Sequence, residues 1–211
     1  MHDAILLWRD RADLIILSLV AINKMFWRTT NRVPWDDIGT QLGKRLLQEV
    51  DPLSSKLATI LEAANDTKQI STINSNHWRY EYAIWYMFWL WYVANSPRLA
   101  KQNAGSALLD SYYRSGYDSI ARAGLLPYDQ TDFSSWKLNL EQRFHRYKRA
   151  FEYRTPYPRV FSGTVGDEFS RDVFQDEGPH PKFAIVMNEQ GTVRFQSLAK
   201  MVDELEDHYS K

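Results

Sequence analysis

The sequence predicts an all-α protein, built as an irregular bundle of about seven helices around one aromatic-rich helix. Three observations support this fold class. Apolar residues recur three and four positions apart through most of the 211 residues. Glycine and proline are few, and the prolines separate the periodic segments. Residues 78–93 are mostly Trp, Tyr and Phe, and their apolar residues do not alternate with polar ones as in a half-buried strand.

The aromatic segment is predicted to be the central, buried helix of the bundle. Large rings bury more surface than other side chains and dominate the energetics of a core. Residues 74–76 (Asn-Ser-Asn) can cap its start, and residues 95–97 (Asn-Ser-Pro) end it. Arg79, Glu81 and several Tyr hydroxyls argue against a membrane span, which requires about 20 predominantly apolar residues.

The chain before the aromatic segment is predicted to form three helices. Residues 4–27 hold an apolar run that continues nearly all round a helix, so we expect this helix to be buried against the aromatic one. A second helix begins at Pro34. Asp51 and Pro52 are predicted to end it and to begin a third, because Asp is a good N-cap and Pro suits the first helical position.

Three more helices are predicted after the aromatic segment. Residues 98–124 form the first, with a ridge of small residues that we expect to face the aromatic helix. The ridge consists of Ala100, Ala104, Ala107 and Ser111. Ser134 is predicted to cap the second helix. Apolar residues four positions apart predict a third, short helix, and they are Phe161, Val165, Phe169 and Val173.

The last segment fits two structures. Residues 182–197 can form a small C-terminal β-hairpin, with strands at 183–187 and 192–195 and a turn at 188–191. They can equally form a helix, with Phe183, Met187, Gln190 and Arg194 among the residues on one side. We favour one long helix, with or without an interruption, since the apolar spacing continues helically beyond residue 197.

Composition and charge fit a single helical domain over residues 1–211. Hydrophobic residues make up 44% and charged residues 25%, which is ordinary for a soluble globular protein. Lys plus Arg equals Asp plus Glu at 26 each. The zero net charge argues against a strong overall basic field for nucleic acid, and it leaves self-association, such as a homodimer, unopposed.

The absence of cysteine excludes disulfides, thiolate nucleophiles and cysteine-ligated metals. The start of the chain lacks the basic region of a signal peptide, and charged residues interrupt its first apolar run. We therefore expect a cytoplasmic protein that does not enter a membrane, and no cofactor is predicted.

Two carboxylate–imidazole pairs raise the possibility of a metal site. His77 and Glu81 are four residues apart, as are Glu141 and His145, so each pair shares a helix face. Di-iron helical bundles use a different spacing and two further carboxylates. The alternative, which we favour, is a pair of ordinary contacts on helix surfaces.

A ligand pocket beside the aromatic helix is a second candidate site. Its residues would be Arg79, Glu81, Trp85 and Trp89, with the two charges as a polar anchor among the rings. The alternative is that the charges are solvated and the rings interdigitate as core. A pocket requires a void, and we favour a filled core.

A basic face is predicted on the helix that follows Ser134. Residues 137–159 carry a net charge of +5, and the face includes Lys137, Arg143, Arg146 and Arg149. Interleaved aromatic residues resemble those of a nucleic-acid surface, but they follow the buried seam of the helix, so nucleic acid is disfavoured. The C-terminal region is acidic, and we expect the two faces to complement each other within one chain or across a dimer.

The function predicted from these patterns is binding rather than catalysis. Neither a nucleophile elbow nor a phosphate-binding loop nor a dinucleotide fingerprint nor a His-Glu-x-x-His motif is present. We expect a non-enzymatic protein that binds a protein partner or itself through complementary charged faces. The alternative is a small-molecule-binding or enzymatic bundle with a pocket beside the aromatic helix, and whether any reaction is catalysed stays open.

Overall fold

A computed structural model describes residues 34–63, 75–100, 104–152, 164–175 and 181–209. Within these ranges every regular element is a helix, so the all-α class is confirmed. Six helices of ten or more residues and one four-residue turn of helix occur there, in the order α1 (Trp35–Ala63), α2 (Ser75–Ala94), α3 (Pro97–Ala100), α4 (Ala104–Arg122), α5 (Phe133–Glu152), α6 (Val165–Phe174) and α7 (Pro181–Tyr209). The helix predicted over residues 4–27 lies outside the described residues, and the prediction of one domain over residues 1–211 stays a prediction.

The aromatic helix α2 lies among the other long helices and contacts α1, α4, α5, α6 and α7. From Trp78 to Val93 its residues are buried, except for Arg79 and Tyr92, which are partly exposed. Rings of α5, α6 and α7 pack directly against rings of α2. The predicted central aromatic helix is therefore confirmed. No helix in the described ranges has the length and apolar character needed to cross a membrane.

The most extensive helix pair joins α1 to α4. A Cβ atom on Gly39 would lie 2.2 Å from the carbonyl oxygen of Leu108, and one on Gly43 would lie 2.2 Å from Oγ of Ser115. The glycines of α1 therefore allow the two backbones to approach closely. The predicted small-residue ridge does not face α2 at two of its four positions, because Ala107 is exposed and Ser111 lies against α1, whereas Ala104 is buried. The helix predicted over residues 98–124 is described as α3 and α4.

The predicted break at Pro52 is also wrong, since α1 runs through it without ending. Proline removes one backbone hydrogen bond, but burial on both sides holds the helix together. Val50 and Leu53 continue one buried stripe across it, and the indole Nε1 of Trp78 donates to the carbonyl oxygen of Ser54 at 3.2 Å. Asp51, predicted as an N-cap, instead accepts hydrogen bonds from a side chain of α2.

The caps of α5 and α6 differ in how well they were predicted. Asp132, not Ser134, caps α5, because its Oδ1 accepts the backbone N–H groups of Ser134 at 2.9 Å and Ser135 at 3.0 Å. The short helix α6 is confirmed, and Oγ1 of Thr164 accepts the backbone N–H of Asp167 at 3.2 Å.

The C-terminal segment forms one continuous helix, α7, so the alternative of a β-hairpin over residues 182–197 is wrong. Its buried stripe runs through Phe183, Met187, Gln190, Arg194 and Leu198 at helical spacing. The helical spacing of these residues prevails over the turn signal at residues 188–191, because the stripe packs along α2. A hairpin would leave alternate residues facing solvent.

Candidate ligand-binding site at the aromatic helix

Two buried charged centres lie beside α2, and the first joins it to α5 and α6. Glu81 accepts hydrogen bonds from both terminal nitrogens of Arg143, and Nη2 of Arg143 lies 3.0 Å from Oδ2 of Asp172. Arg146 binds Asp172 as well, and its Nε lies 3.1 Å from Oε2 of Glu168. The hydroxyl of Tyr147 also donates to Asp172. We call this set the Arg143 centre.

The electrostatics of the Arg143 centre follow from its burial. Burial raises the pKa of the Glu81 carboxyl above its ordinary value, and the neighbouring Arg143 guanidinium acts in the opposite direction. Burial alone would lower the pKa of Arg143, but Tyr147, Glu81 and Asp172 hold it well above its ordinary value. Nε of Arg143 is enclosed without a partner among the described residues, while both terminal nitrogens bind carboxylates.

The predicted basic face is therefore largely neutralised by contacts within the chain. Arg143 and Arg146 bind acidic residues of α2 and α6, as described above. Nζ of Lys137 lies 2.9 Å from Oδ1 of Asp110. Arg149 is exposed. The expected complementarity of charged faces is met between α5 and α6 of one chain, which leaves less of it for a second molecule.

The four residues of the predicted metal site have separate partners. Nε2 of His77 lies 3.1 Å from the carbonyl oxygen of Val173, and Glu81 binds Arg143. Glu141 lies 4.0 Å from Lys137, and the exposed His145 packs its ring edge-on to that of Trp91. In the described part of the chain, no three His, Asp or Glu side chains are grouped so as to hold a metal ion.

The predicted pocket around Trp85 and Trp89 is occupied by rings. Trp85 lies between the rings of Tyr82, Trp89 and Phe169, at centroid distances of 5.5, 5.8 and 5.7 Å. Both tryptophans are at most 1% exposed. Arg79, the other predicted anchor, binds Asp51 at 2.9 and 2.8 Å at the edge of the bundle. The four residues therefore do not surround a common cavity.

A cleft of about 460 Å³ opens at the C-terminal end of α2, between α5 and α7. Its walls include the rings of Trp91, Tyr92 and Phe195, and Lys148 and Glu152 lie at its rim. A smaller cleft of about 330 Å³ lies on the opposite side of Trp91, towards α4. Trp91, which lines both clefts, is two residues beyond Trp89, the last of the four residues to which the sequence pointed.

Three rings separate the larger cleft from the interior of the bundle. The centroids of Tyr92 and Phe151 are 4.9 Å apart, those of Tyr92 and Phe195 are 5.7 Å apart, and those of Phe151 and Phe195 are 5.9 Å apart. Phe151 also packs edge-on to Trp89 at 5.4 Å. We call these three residues the ring triad.

The second buried charged centre, which we call the Arg194 centre, lies between α1, α2 and α7. The Arg194 guanidinium lies over the ring face of Tyr86, with Cζ 3.8 Å from the centroid. Oε2 of Glu49 accepts the Tyr86 hydroxyl at 2.5 Å and lies 3.7 Å from Nη2 of Arg194. Burial raises the pKa of the Tyr86 hydroxyl well above its ordinary value, and the Arg194 charge acts against that shift.

The Arg194 centre was not predicted from the sequence. The available signal was the register of α7, in which Gln190 and Arg194 occupy the same stripe as Phe183 and Met187. Polar residues at core positions of a helix indicate a buried polar network. The partner Glu49, which adjoins the buried Val50 on α1, carried no distinguishing signal of its own.

Comparison with known proteins adds no relative from which a function can be taken. The chain matches no protein-family model, no curated protein and no solved structure.

Proposed function

We propose that this protein binds a small molecule in the cleft at the C-terminal end of α2. The observation that carries the proposal is the cleft itself, whose volume of about 460 Å³ lies within the range typical of ligand sites. Seven of its lining residues are apolar or aromatic, and the other five are polar or charged: Asn95, Ser96, Lys148, Glu152 and Asp203. Such a lining buries the body of a ligand while the polar groups fix its orientation.

The lining indicates the chemical class of the ligand. Trp91, Tyr92 and Phe195 offer ring faces and edges, which favour a flat aromatic or cyclic molecule. At the rim, Nζ of Lys148 lies 3.8 Å from Oε1 of Glu152. Asp203 also lines the cleft, so charges of both signs occur there. A neutral or zwitterionic ligand suits such a rim better than a strongly charged one. This proposal needs no reaction, in keeping with the absence of a catalytic motif.

A cleft-filling variant with a matched control tests this function. Ala199 lines the cleft on α7, and Gln142 is an exposed residue of α5. Ligand-observed NMR against a library of indoles, naphthalenes and other small ring compounds would identify binders. We expect Ala199→Phe to abolish binding and Gln142→Phe to leave it unchanged. A library without binders, or binders indifferent to Ala199→Phe, would count against the cleft.

A protein partner, including a second copy of this chain, is the other candidate. Tyr128 is fully exposed at 102% and Leu138 is 58% exposed, and these are the large apolar side chains most open to solvent in the described ranges. The zero net charge leaves self-association unopposed. Light scattering after size exclusion, at low and high salt, tests this candidate, and a monomer at every concentration contradicts a homodimer. The cytoplasmic location stays a prediction.

A further inference from the structure

The smaller cleft lies between the C-terminal end of α2 and the facing sides of α4 and α5. Its volume of about 330 Å³ is at the lower end of the range typical of small-molecule sites. The lining includes the ring of Trp91 from α2, Asp110 and Tyr113 from α4, and Lys137 and Glu141 from α5. Aromatic rings and charged groups of both signs therefore meet in a cleft that admits only a small molecule.

The ammonium group of Lys137 shows which chemistry this lining accepts. Its Nζ lies 2.9 Å from Oδ1 of Asp110 and 4.0 Å from Oε1 of Glu141. The same Nζ lies over the ring face of Tyr113, 5.6 Å from the ring centroid. Residues of α4 and α5 thus converge on one ammonium that the chain itself supplies.

The negative charge of the cleft exceeds what Lys137 neutralises. Asp110 and Glu141 are its negative lining residues and Lys137 is its positive one, so the lining has a net charge of −1. Glu141 is the less well paired carboxylate, because a separation of 4.0 Å from Lys137 is at the outer limit of an ion pair. One added monovalent cation would balance these three charges, whereas an added anion would increase the imbalance.

Tyr113 adds a third polar group that can accept from a cation. It is 1% exposed, and its hydroxyl has no hydrogen-bond partner among the described residues. Other buried polar atoms in the described ranges are unpartnered too, but of their residues only Tyr113 lines either cleft. Burial raises the pKa of this hydroxyl well above its ordinary value, and the negative charges of Glu141 and Asp110 raise it further. Both carboxylates of the cleft therefore act on the hydroxyl.

We propose that the smaller cleft binds a small organic molecule through a primary ammonium group, held by Glu141, Asp110 and the hydroxyl of Tyr113. A primary ammonium has three N–H donors, as many as these acceptor groups, and Lys137 carries the same group. The site goes beyond the function proposed above, because the two clefts lie on opposite sides of Trp91. Binding in one of the two clefts does not require binding in the other.

Titration with ethylammonium chloride, followed by the backbone amide resonances of the full chain in NMR, tests this site. We expect saturable shifts at Leu109 and Asp110, which line the smaller cleft, and none at Ala199 and Val202, which line the larger one. Sodium chloride at matched concentration controls for ionic strength and should not produce the saturable shifts. Tetramethylammonium chloride carries the charge without N–H donors, so it should bind more weakly.

A charge-removing variant with a matched control tests the role of the less well paired carboxylate. We expect Glu141→Gln to weaken ethylammonium binding about twofold to fivefold, the value of an exposed ion pair. Glu204→Gln on α7 is the control, because Glu204 lies 3.8 Å from Lys200, also four residues away, and lines neither cleft. Both variants change the net charge equally, so a general charge effect would appear in both.

Two further variants test the other groups of the cleft. Lys137→Met removes the ammonium that competes for the same carboxylates, so ethylammonium should bind about twofold to fivefold more tightly. A purely structural role of Lys137 would not give tighter binding. Tyr113→Phe removes only the hydroxyl and should weaken binding about threefold to tenfold, the value of one hydrogen bond. Tyr112→Phe is its control, because Tyr112 is also buried but does not line the cleft.

Several results would overturn the inference. They are shifts that do not saturate or that sodium chloride reproduces, equal binding of tetramethylammonium, equal effects of Glu141→Gln and Glu204→Gln, or an affinity that Lys137→Met does not raise or Tyr113→Phe does not lower. The variant Ala199→Phe separates the two proposals, since we expect it to abolish ring binding in the larger cleft and to leave the ethylammonium titration unchanged.

Discussion

The Arg143 and Arg194 centres each place a buried guanidinium beside α2, but the two guanidinium groups have different partners. Three carboxylates and a Tyr hydroxyl lie around Arg143 and its neighbour Arg146. The terminal nitrogens of Arg143 bind two of those carboxylates. Arg194 has one carboxylate at 3.7 Å and an aromatic face. The difference shows that burial alone does not define a site. The first centre ties α6 to α2 and α5 through several ion pairs, whereas the second ties α7 to α1 and α2 through a ring face and one carboxylate 3.7 Å away.

Replacing Arg143 and Arg194 in turn should give the largest changes in unfolding free energy among the tests of this contrast. Arg143→Met leaves Glu81 buried without its cation and leaves Asp172 with Arg146 alone, and breaking a buried ion pair costs about 3–5 kcal/mol of unfolding free energy. Arg194→Met should cost less, because Glu49 keeps the hydrogen bond from Tyr86. Urea unfolding measures both losses. An Arg194→Met loss equal to or above that of Arg143→Met contradicts the contrast.

A methyl group at Gly191 tests how tightly α7 packs beside the Arg194 centre. The added Cβ would overlap the rigid ring of Trp89, and overpacking a core typically costs about 1–3 kcal/mol. Gly116→Ala is the matched control on α4, since its Cβ would meet Cε of Met87 at 3.1 Å, and a Met side chain can move aside. Thermal and urea unfolding should show the larger loss for Gly191→Ala. Equal losses would show that α7 is not held against Trp89.

The N-cap of α5 provides a reference outside both centres. Hydrogen bonds from Ser135 and Ser134 hold the pKa of the Asp132 carboxyl below its ordinary value of 3.8. Because the folded value is the lower one, the stabilisation is complete above pH ~4 and is lost as the pH falls through the folded pKa. We expect Asp132→Ala to lower the unfolding midpoint at pH 7 and to have little effect at pH 2.

Asp132→Asn is the control for that pH dependence. Asn is a comparable N-cap without a titrating group, so the variant should keep most of the stability at pH 7. Its difference from the wild type should shrink in acid. A pH-independent loss for Asp132→Ala would show that charge has no part in this cap.

The fold was predictable wherever one pattern of apolar residues dominated a segment of the sequence. The aromatic run gave α2, and the stripe through Val165, Phe169 and Val173 gave α6. The break predicted at Pro52 failed because local propensity was weighed without the burial of Val50 and Leu53 on either side. Tertiary packing decides such cases, and a single sequence does not display it.

The site was less predictable than the fold, for a physical reason. In the sequence, Glu81 and Trp85 stood out as a charge and a ring close together. In the structure, Glu81 forms an ion pair and Trp85 packs against another ring, so neither is left to hold a ligand. The cleft depends on how the C-terminal ends of α2 and α5 meet the side of α7, and Arg194 depends on partners from α1 and α2. Concavity and unmet hydrogen bonds are properties of the assembled bundle.

The most direct test of the claim that pairing, rather than burial alone, stabilises the bundle compares the loss of two buried Tyr hydroxyls. The Tyr147 hydroxyl donates to Asp172 in the Arg143 centre, and that of Tyr82 has no partner among the described residues. Urea unfolding of the purified protein should show that Tyr147→Phe loses about 1.5–3 kcal/mol, as expected for a hydrogen bond to a charged group. Tyr82→Phe should lose nothing, or gain slightly. Equal losses for the two variants, or a larger loss for Tyr82→Phe, would contradict the account.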